Sequence, residues 1–488
     1  MDIRGLFLEN RGVKQVIFKN TFWLGVATVV SKILNLVLLI YVARILGAEE
    51  YGRFTFALAF VALFTVIHDF GLPQIIIREF SRKDTNKKEF YSVISLNILM
   101  SIVVFGVIIL STLFTGLDLG AKKAILILGV ANIISNFANI FISLFQAQNK
   151  MEYRTGIEIF RSVLLLAAGL AIIFYFPSAE NLSLAYLFTA VVALPFILAF
   201  FSFKLFKPKI YWEKSVWKKF LTISWPLALV GMFGIIYNYV DSIMMGFWGM
   251  MTQTGWYNAA VKIIAGATLP GVLISKSCYP LLSKFHKQKE MLQKTLNHQI
   301  ELMIILALPI IAGGFVLAPR IIHAFYPSDF SPAVLALKIL ILGTGIFYIT
   351  RPFADLMIVF NQQKKFFLIT VFGALINIVL NLILIPKYSL YGAAVATVIT
   401  NLAVFLVYFA YYQFFTRLPL LKLKFIPVAL IASVCTFIMY FVIKQPTIYN
   451  LHIFVSIILG ALVYFIGFVA LKSLLRFTNL YSLYGERK

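Results

Sequence analysis

Nine charged side chains stand inside long apolar stretches of this 488-residue chain. A charge in such a place costs about 2.5–3.5 kcal/mol on insertion scales, so it is kept for pairing or for function. Basic groups beside a partly wet cavity attract anions, and buried acids are candidates for proton or cation binding. The basic members are Lys32, Arg161, Lys262, Lys338 and Arg351. The acidic members are Asp69, Glu158, Asp241 and Asp355, with His68 next to Asp69.

Two pairs of these charges are close in sequence. Arg351 and Asp355 are four residues apart, and Glu158 and Arg161 are three apart, so each pair shares one face of a helix. Pro352 follows Arg351 and removes a backbone hydrogen bond, which predicts either a hinge or a tolerated kink. Glu158 and Arg161 are expected to neutralise each other.

The elements that position these charges are membrane-spanning helices. The chain is 61% hydrophobic and 13% charged, against about 45–50% and about 25% in soluble domains. A span needs about 20 mostly apolar residues, and the apolar runs here are continuous, which excludes a barrel of alternating strands. We predict an all-α membrane protein with fourteen spans, at 21–43, 54–77, 91–115, 124–147, 156–176, 183–203, 220–246, 256–279, 299–322, 334–360, 365–386, 391–414, 425–443 and 451–472.

The loop charges predict the orientation. With the N-terminus inside, the inner connections and the span ends beside them hold 31 of the 43 Lys and Arg residues, the outer ones hold seven, and five lie deeper within spans. This asymmetry predicts a multi-pass plasma-membrane protein with cytoplasmic N- and C-termini, and we expect no cleavable signal peptide. It also explains the net charge of +24 without a nucleic-acid partner.

Depth within the spans brings further charges together. Lys32, Asp69 and Arg161 are all predicted in the inner half of the bilayer. One interpretation is that Arg161 and Asp69 form a structural ion pair that holds two helices together. Asp241 and Lys262 flank one short outer hairpin at similar depth. We expect a structural salt bridge between them, with gating as the alternative.

An internal repeat predicts two pseudo-symmetric six-helix lobes. Gly52 and Gly255 each stand at the entrance of an even-numbered span and are followed closely by an aromatic residue. Pro177 and Pro386 precede a second pair of similar runs, although chance similarity between helix starts is the alternative. The predicted organisation is a cytoplasmic segment at 1–20, an N-lobe of spans 1–6 at 21–210, a C-lobe of spans 7–12 at 211–416, and spans 13 and 14 with a cytoplasmic tail at 417–488.

Short motifs spread along nearly the whole chain carry a family resemblance. They are Leu46–Gly52 (LGAEEYG), Phe70–Leu72 (FGL) with Arg78 and Glu79, Gln146–Tyr153 (QAQNKMEY), and Asn377, Asn381 and Pro386 followed by Tyr391–Thr397 (YGAAVAT). Together and in this order they resemble the polysaccharide or oligosaccharide (O-antigen-type) flippases of the multidrug/oligosaccharidyl-lipid/polysaccharide exporter superfamily, which is MATE-like.

The resemblance implies a V-shaped transporter that moves a polyprenyl-pyrophosphate-linked oligosaccharide from the inner to the outer leaflet by alternating access, for cell-surface glycan synthesis. Lys32, Arg161 and His68 are then candidates for binding the head group. Asp69, Asp241, Lys262, Arg351 and Asp355 are candidates for a coupling ion or for gating. The expected partners are the glycan lipid, membrane lipids and other polysaccharide-assembly proteins.

Other functions stay open at this point. A cation-coupled drug exporter would share the fold, and the last two helices favour the glycan branch over it. A membrane enzyme of polysaccharide assembly is disfavoured because no loop exceeds roughly twenty residues and no catalytic motif appears. A non-transporting scaffold would not be expected to keep charges inside its spans. We expect no catalytic residue, resident metal or cofactor, while Na⁺, protons or the membrane potential all fit as the driving force.

Overall fold

The computed structural model describes residues 13–82, 86–416 and 425–477, and these are almost entirely helical. The predicted tail and parts of the predicted 1–20 and 417–488 segments therefore lie outside the described residues. The long helices are Val13–Asp69, Leu72–Arg82, Lys87–Leu113, Leu119–Ala147, Met151–Tyr175, Ala179–Lys204, Lys214–Phe247, Met251–Lys284, Lys289–Phe325, Ala333–Val359, Gln363–Thr416, Phe425–Lys444 and Ile453–Phe477. Short helical turns occur at Ser328–Phe330 and Pro446–Tyr449.

Twelve helical segments among the described residues are long and apolar enough to cross a membrane, and two of these are double length. A straight helix of the 65 residues from Phe18 to Arg82 would be about 98 Å long, three times the hydrocarbon thickness. Gly47 interrupts it with a φ of 72°, and Ser389 interrupts the second with a φ of 53°. Counting each half separately gives fourteen crossings, in agreement with the predicted spans.

The interruption at Ser389 reverses the chain. A Cβ placed on Gly392 would collide with the backbone carbonyl of Leu384. Residues eight apart in a continuous helix would be separated by about 12 Å, so this contact requires a hairpin. Ser389 carries a side chain in the left-handed region, which is unusual for a residue other than glycine.

Local capping explains several of the shorter connections. The Asn86 side chain accepts hydrogen bonds from the backbone N–H groups of Lys88 and Glu89, and Asp118 accepts one from Ala121 at 3.2 Å. These side chains occupy the positions where a helix has N–H groups without partners. Helices therefore begin directly after short polar loops, which leaves little of the described chain outside the spans.

The chain divides into two compact units, Met1–Gly255 and Trp256–Lys488. Aromatic side chains dominate one core of the first unit, where Phe90, Phe141 and Phe201 pack together. In the second unit, one buried cluster surrounds Phe353, and another joins the helices Lys289–Phe325, Phe425–Lys444 and Ile453–Phe477. The lobe boundary at 210/211 was predicted from the internal repeat, and it stays a prediction.

The two glycines that indicated the repeat meet within the first unit. A Cβ on Gly52 would collide with the Met251 carbonyl oxygen, and a Cβ on Gly255 would collide with the carbonyl oxygen of Ala48. Each glycine is thus required by the close approach of the other segment's backbone. The internal repeat itself stays a prediction.

Candidate functional site

A cavity of about 300 Å³ opens among spans 1, 4, 5 and 6 of the first unit. That volume is at the lower end of the range for small-molecule sites. Seven of its eight lining residues carry a polar or charged group, although the cavity lies within apolar helices. The lining residues are Ser31, Ser135, Glu158, Arg161, Ser162, Leu165, Tyr186 and Thr189.

Arg161 supplies the positive charge of this wall. It is half-buried in the helix Met151–Tyr175, and its Nη1 donates to the Asn139 side-chain oxygen at 3.1 Å. Among the described residues, its Nε and Nη2 atoms have no hydrogen-bond partner. A guanidinium with free donors in a partly dry cavity is suited to bind a phosphate or carboxylate.

The nearest acid on the same helix is already paired. Glu158 Oε1 accepts from Arg154 Nε at 2.7 Å, and Arg154 also bonds Gln146. Glu158 thus has Arg154 as its salt-bridge partner and interacts with Arg161 electrostatically, without an ion-pair contact between them. Together these three charged groups leave one net positive charge at the cavity.

A ladder of side-chain amides extends from Arg161 along the helix Leu119–Ala147. Asn139 Nδ2 donates to the Asn136 oxygen at 3.4 Å, and Asn136 Nδ2 donates to the Asn132 oxygen at 2.6 Å. Thr65 closes the ladder by donating to the same Asn132 oxygen at 3.1 Å. Because the donated amide protons of Asn139 and Asn136 point away from Arg161, these amides polarise one another and present their oxygens towards the cation.

Lys32 lies beside this cavity. Its side chain is exposed, and its neighbour Ser31 is part of the cavity wall. Asn35, three residues on and on the same helix face, bonds the cavity residue Tyr186. Lys32 is not among the residues that line the cavity, so its contribution to the charge beside Arg161 stays a prediction.

The predicted structural pair between Arg161 and Asp69 is not among the ion pairs of the described residues, since Arg161 bonds Asn139 instead. His68 is completely buried, and its Nε2 lies 2.7 Å from the Ser101 hydroxyl. His68 and Asp69 lie at a break in span 2 and are absent from the cavity wall. The sequence predicted Arg161 and Asp69 at similar depth, but their side chains lie on helix faces that do not meet.

The second unit places Arg351 and Asp355 in a different kind of cluster. Arg351 Nε lies 3.4 Å from Asp355 Oδ1, which confirms contact between these neighbours on one helix face. Asp355 Oδ2 accepts from the Ser275 hydroxyl at 2.6 Å and from Gln299 Nε2 at 2.9 Å. With a side chain only 3% exposed, Asp355 joins three spans of this unit.

The remaining predicted charges are distributed between the units. Asp241 is buried in the first unit, and Lys262 is half-buried in the second, so their pairing stays a prediction. Lys338 lies over the Phe315 ring, with its Nζ 5.2 Å from the ring centroid. That cation–π contact gives Lys338 a structural explanation.

The amide ladder was not predicted from the sequence, because only ionisable groups within the spans were taken as candidates. The signal was present: Asn132, Asn136, Asn139, Ser143 and Gln146 recur every three or four residues within one apolar helix. That spacing puts all five on one face, opposite the lipid-compatible surface. Ser275 and Gln299 had no comparable signal, since they are single polar residues far apart in sequence.

Comparison with known proteins bears on this site. The model of the family described as "Polysaccharide biosynthesis protein" matches residues 17–286, more than half of the chain and including all of the cavity residues. The chain is 24% identical over 369 residues to the probable low-salt glycan biosynthesis flippase Agl15 of Haloferax volcanii, covering 74% of this chain and 76% of that one. It is 23% identical over 412 residues to the capsular polysaccharide biosynthesis protein CapF of Staphylococcus aureus, covering 82% and 99% respectively.

Among solved structures, the fold is similar to that of the lipid II flippase MurJ in an inward closed conformation. The TM-score is 0.77 at 19% sequence identity, and the match covers 91% of this chain and 97% of the other. The likeness at this identity concerns the fold, and it supports the predicted fourteen-span helical architecture.

Proposed function

Because the chain belongs to the polysaccharide biosynthesis protein family, we propose that it is a flippase that moves a lipid-linked oligosaccharide across the membrane. The names of its relatives point to glycan biosynthesis and flipping. In this proposal the glycan is carried on a polyprenyl pyrophosphate, and alternating access exposes the head group first to one leaflet and then to the other.

The observation that carries the proposal is the cationic cavity within the spans of the first unit. A pyrophosphate is anionic and offers several acceptor oxygens, which matches the free donors of Arg161. Lys32, the sequence neighbour of the cavity residue Ser31, would attract the same group before it enters. His68 has no part in this head-group site because its ring is buried against Ser101.

The neutral polar groups suit the sugar portion of such a ligand. The cavity wall contains the hydroxyls of Ser31, Ser135 and Tyr186. Sugar hydroxyls both donate and accept hydrogen bonds, so neutral hydroxyls and amides can pair with them at little desolvation cost. A single strong cation with many weak neutral partners also allows release, which a transporter requires.

We propose that the protein resides in the plasma membrane with both termini in the cytoplasm. The support is the excess of Lys and Arg in the connections that this orientation places inside. The substrate would then be loaded at the cytoplasmic leaflet, where the basic loops also favour an anionic head group.

Reconstitution of the purified chain into liposomes tests the function directly. Liposomes would carry a fluorescent polyprenyl-pyrophosphate oligosaccharide, and an impermeant quencher would report its appearance in the opposite leaflet. We expect transfer to exceed that in protein-free liposomes. Transport of a cationic dye with no transfer of the glycan lipid would overturn the proposal in favour of a drug exporter.

A further inference from the structure

Two arginine–amide contacts join the helices of spans 4 and 5. Arg154 Nη1 donates to the Gln146 side-chain oxygen, and Arg161 Nη1 donates to the Asn139 side-chain oxygen at 3.1 Å. Both arginines lie on span 5 and both amides on span 4. The two arginines are seven residues apart, as are the two amides, and seven residues make about two helical turns. The contacts are thus equivalent rungs between antiparallel helices, about 10 Å apart.

The short hairpin between these helices sets their register. Asn149 has a φ of 57°, and its N–H donates to the Gln146 carbonyl at 3.0 Å. The Lys150 N–H donates to the Phe145 carbonyl at 3.0 Å. This is the hydrogen-bonding pattern of a helix C-terminus that closes on a left-handed residue. Gln146 is therefore fixed close to the start of span 5, within reach of the long Arg154 side chain.

Glu158 makes the two rungs different. It lies four residues after Arg154 and three before Arg161, so the three side chains share one face of span 5. Its Oε1 accepts from Arg154 Nε at 2.7 Å, whereas no ion-pair contact joins it to Arg161 among the described residues. The rung at Arg154 is neutralised by this carboxylate. The rung at Arg161 keeps its charge, because its amide partner is neutral.

The two guanidinium groups compete for one carboxylate. A guanidinium that is already held in place loses less conformational freedom when it pairs, so it is the preferred partner. Gln146 holds Nη1 of Arg154 and leaves its Nε directed at Glu158. Without Arg154, the nearest cation to Glu158 on this helix face would be Arg161. Glu158 would then occupy the donors that an anionic ligand requires.

We propose that Arg154 is a positioning residue for the anion site: it holds Glu158 and thereby keeps the donors of Arg161 free. This role rests on the proposed function, in which Arg161 binds the pyrophosphate. Neither Arg154 nor Gln146 lines the cavity, so both act on the ligand through Glu158. Gln146 supports this arrangement by fixing the Arg154 guanidinium, which gives the first residue of the Gln146–Tyr153 motif a function.

The first measurement concerns Arg161 itself and needs no substrate. Phenylglyoxal, which attacks guanidinium nitrogens, is applied to the purified full chain in detergent, and labelling of Arg161 is followed by peptide mass spectrometry. A guanidinium that is paired with a carboxylate reacts more slowly. We expect Arg154→Gln to slow the labelling of Arg161 by roughly fivefold, a size typical of coupling within one ion-pair network. The double variant Arg154→Gln with Glu158→Gln should restore the rate.

The second measurement is the affinity for inorganic pyrophosphate, determined by calorimetry on the same variants. Arg154→Gln is expected to weaken binding by roughly five- to tenfold. Removal of the Glu158 carboxylate from that variant should recover the wild-type affinity, because no acid of this helix face is left to pair with Arg161. A purely structural role of Arg154 predicts instead that the loss persists in the double variant.

Gln146→Met separates positioning from net charge. It removes the acceptor of Arg154 Nη1 and leaves every charge of the unit in place. We expect a smaller loss in the same direction, about two- to threefold in pyrophosphate affinity, as for one neutral acceptor. Wild-type affinity in Gln146→Met, together with a loss in Arg154→Gln, would show that only the net charge matters and would overturn the inference.

Arg78→Gln is the matched control. Arg78 is an arginine of the same unit that pairs with Glu79 at 3.1 Å and is absent from the cavity wall, so its loss should change neither readout. The inference fails if Arg154→Gln behaves like Arg78→Gln, or if the double variant does not recover. Unchanged pyrophosphate binding in Arg161→Ala would contradict the proposed function, while the labelling rates would still decide the role of Arg154.

Discussion

In the first unit Arg161 faces a cavity with one neutral amide as its partner, whereas in the second unit Asp355 is enclosed by donors from three side chains. Both are charges inside membrane-spanning helices. The first keeps free hydrogen-bonding capacity, and the second has very little left. A charge with capacity to spare is suited to a ligand, while a saturated one is suited to holding helices together.

Removal of Asp355 is the strongest test of this difference. Asp355→Ala leaves the buried Gln299 and Ser275 donors without their acceptor and separates Arg351 from its counter-charge. We expect a loss of about 3 kcal/mol in the free energy of unfolding, as for other broken buried pairs. The change is measured as a fall in the thermal unfolding midpoint of the purified protein.

The matched variant for Asp355→Ala is Glu290→Ala, which removes an exposed acid from the same unit and should change stability by about 0.5 kcal/mol or less. Flipping per folded molecule should change little in Asp355→Ala. A variant that is stable but inactive would show instead that Asp355 takes part in coupling or gating, and the contrast between the units would disappear.

Arg161→Ala should show the opposite result, a lower flipping rate with little change in stability. Loss of a charge-assisted bond to phosphate, worth about 1.5–3 kcal/mol, predicts roughly a ten- to hundredfold fall in the flipping rate at low substrate. The unfolding midpoint should change little, because the one hydrogen-bond partner of Arg161 among the described residues is a neutral amide. Arg161→Lys should recover part of the rate, since lysine keeps the charge without the planar fork.

The control for Arg161 is Arg320→Ala. Arg320 donates to Ser456 at 2.9 Å and lies over the Tyr449 ring, so its loss should lower stability and spare glycan affinity. If Arg161→Ala and Arg320→Ala behave alike, then Arg161 has no special role in anion binding.

The smallest expected effect concerns the amide ladder. Asn136→Ala interrupts the ladder between Asn132 and Asn139 without touching the charge of Arg161. A neutral hydrogen bond is worth about 1 kcal/mol, so we expect a change of a few-fold in the apparent affinity for the glycan lipid. Ser143→Ala, on the same helix and bonded to a backbone carbonyl, is the comparison variant, and an equal effect would argue against a role for the ladder.

The fold was largely predictable from the sequence, and the site only in part. Runs of apolar residues predicted the fourteen crossings, and the spacing of Arg351 and Asp355 correctly predicted their contact. Depth alone suggested a pair between Arg161 and Asp69, but it carries no information on which face of a helix meets which neighbour. The three asparagines of the ladder could have been recognised from their spacing.

The sequence by itself determined that the chain lies in a lipid bilayer and how often it crosses, because each crossing requires about 20 apolar residues. It also determined which charges must be kept inside. Only the tertiary structure decided that Arg161 retains free donors and that Asp355 retains almost no free acceptor capacity. Pairing depends on the rotation and packing of helices distant in sequence, which hydropathy does not specify.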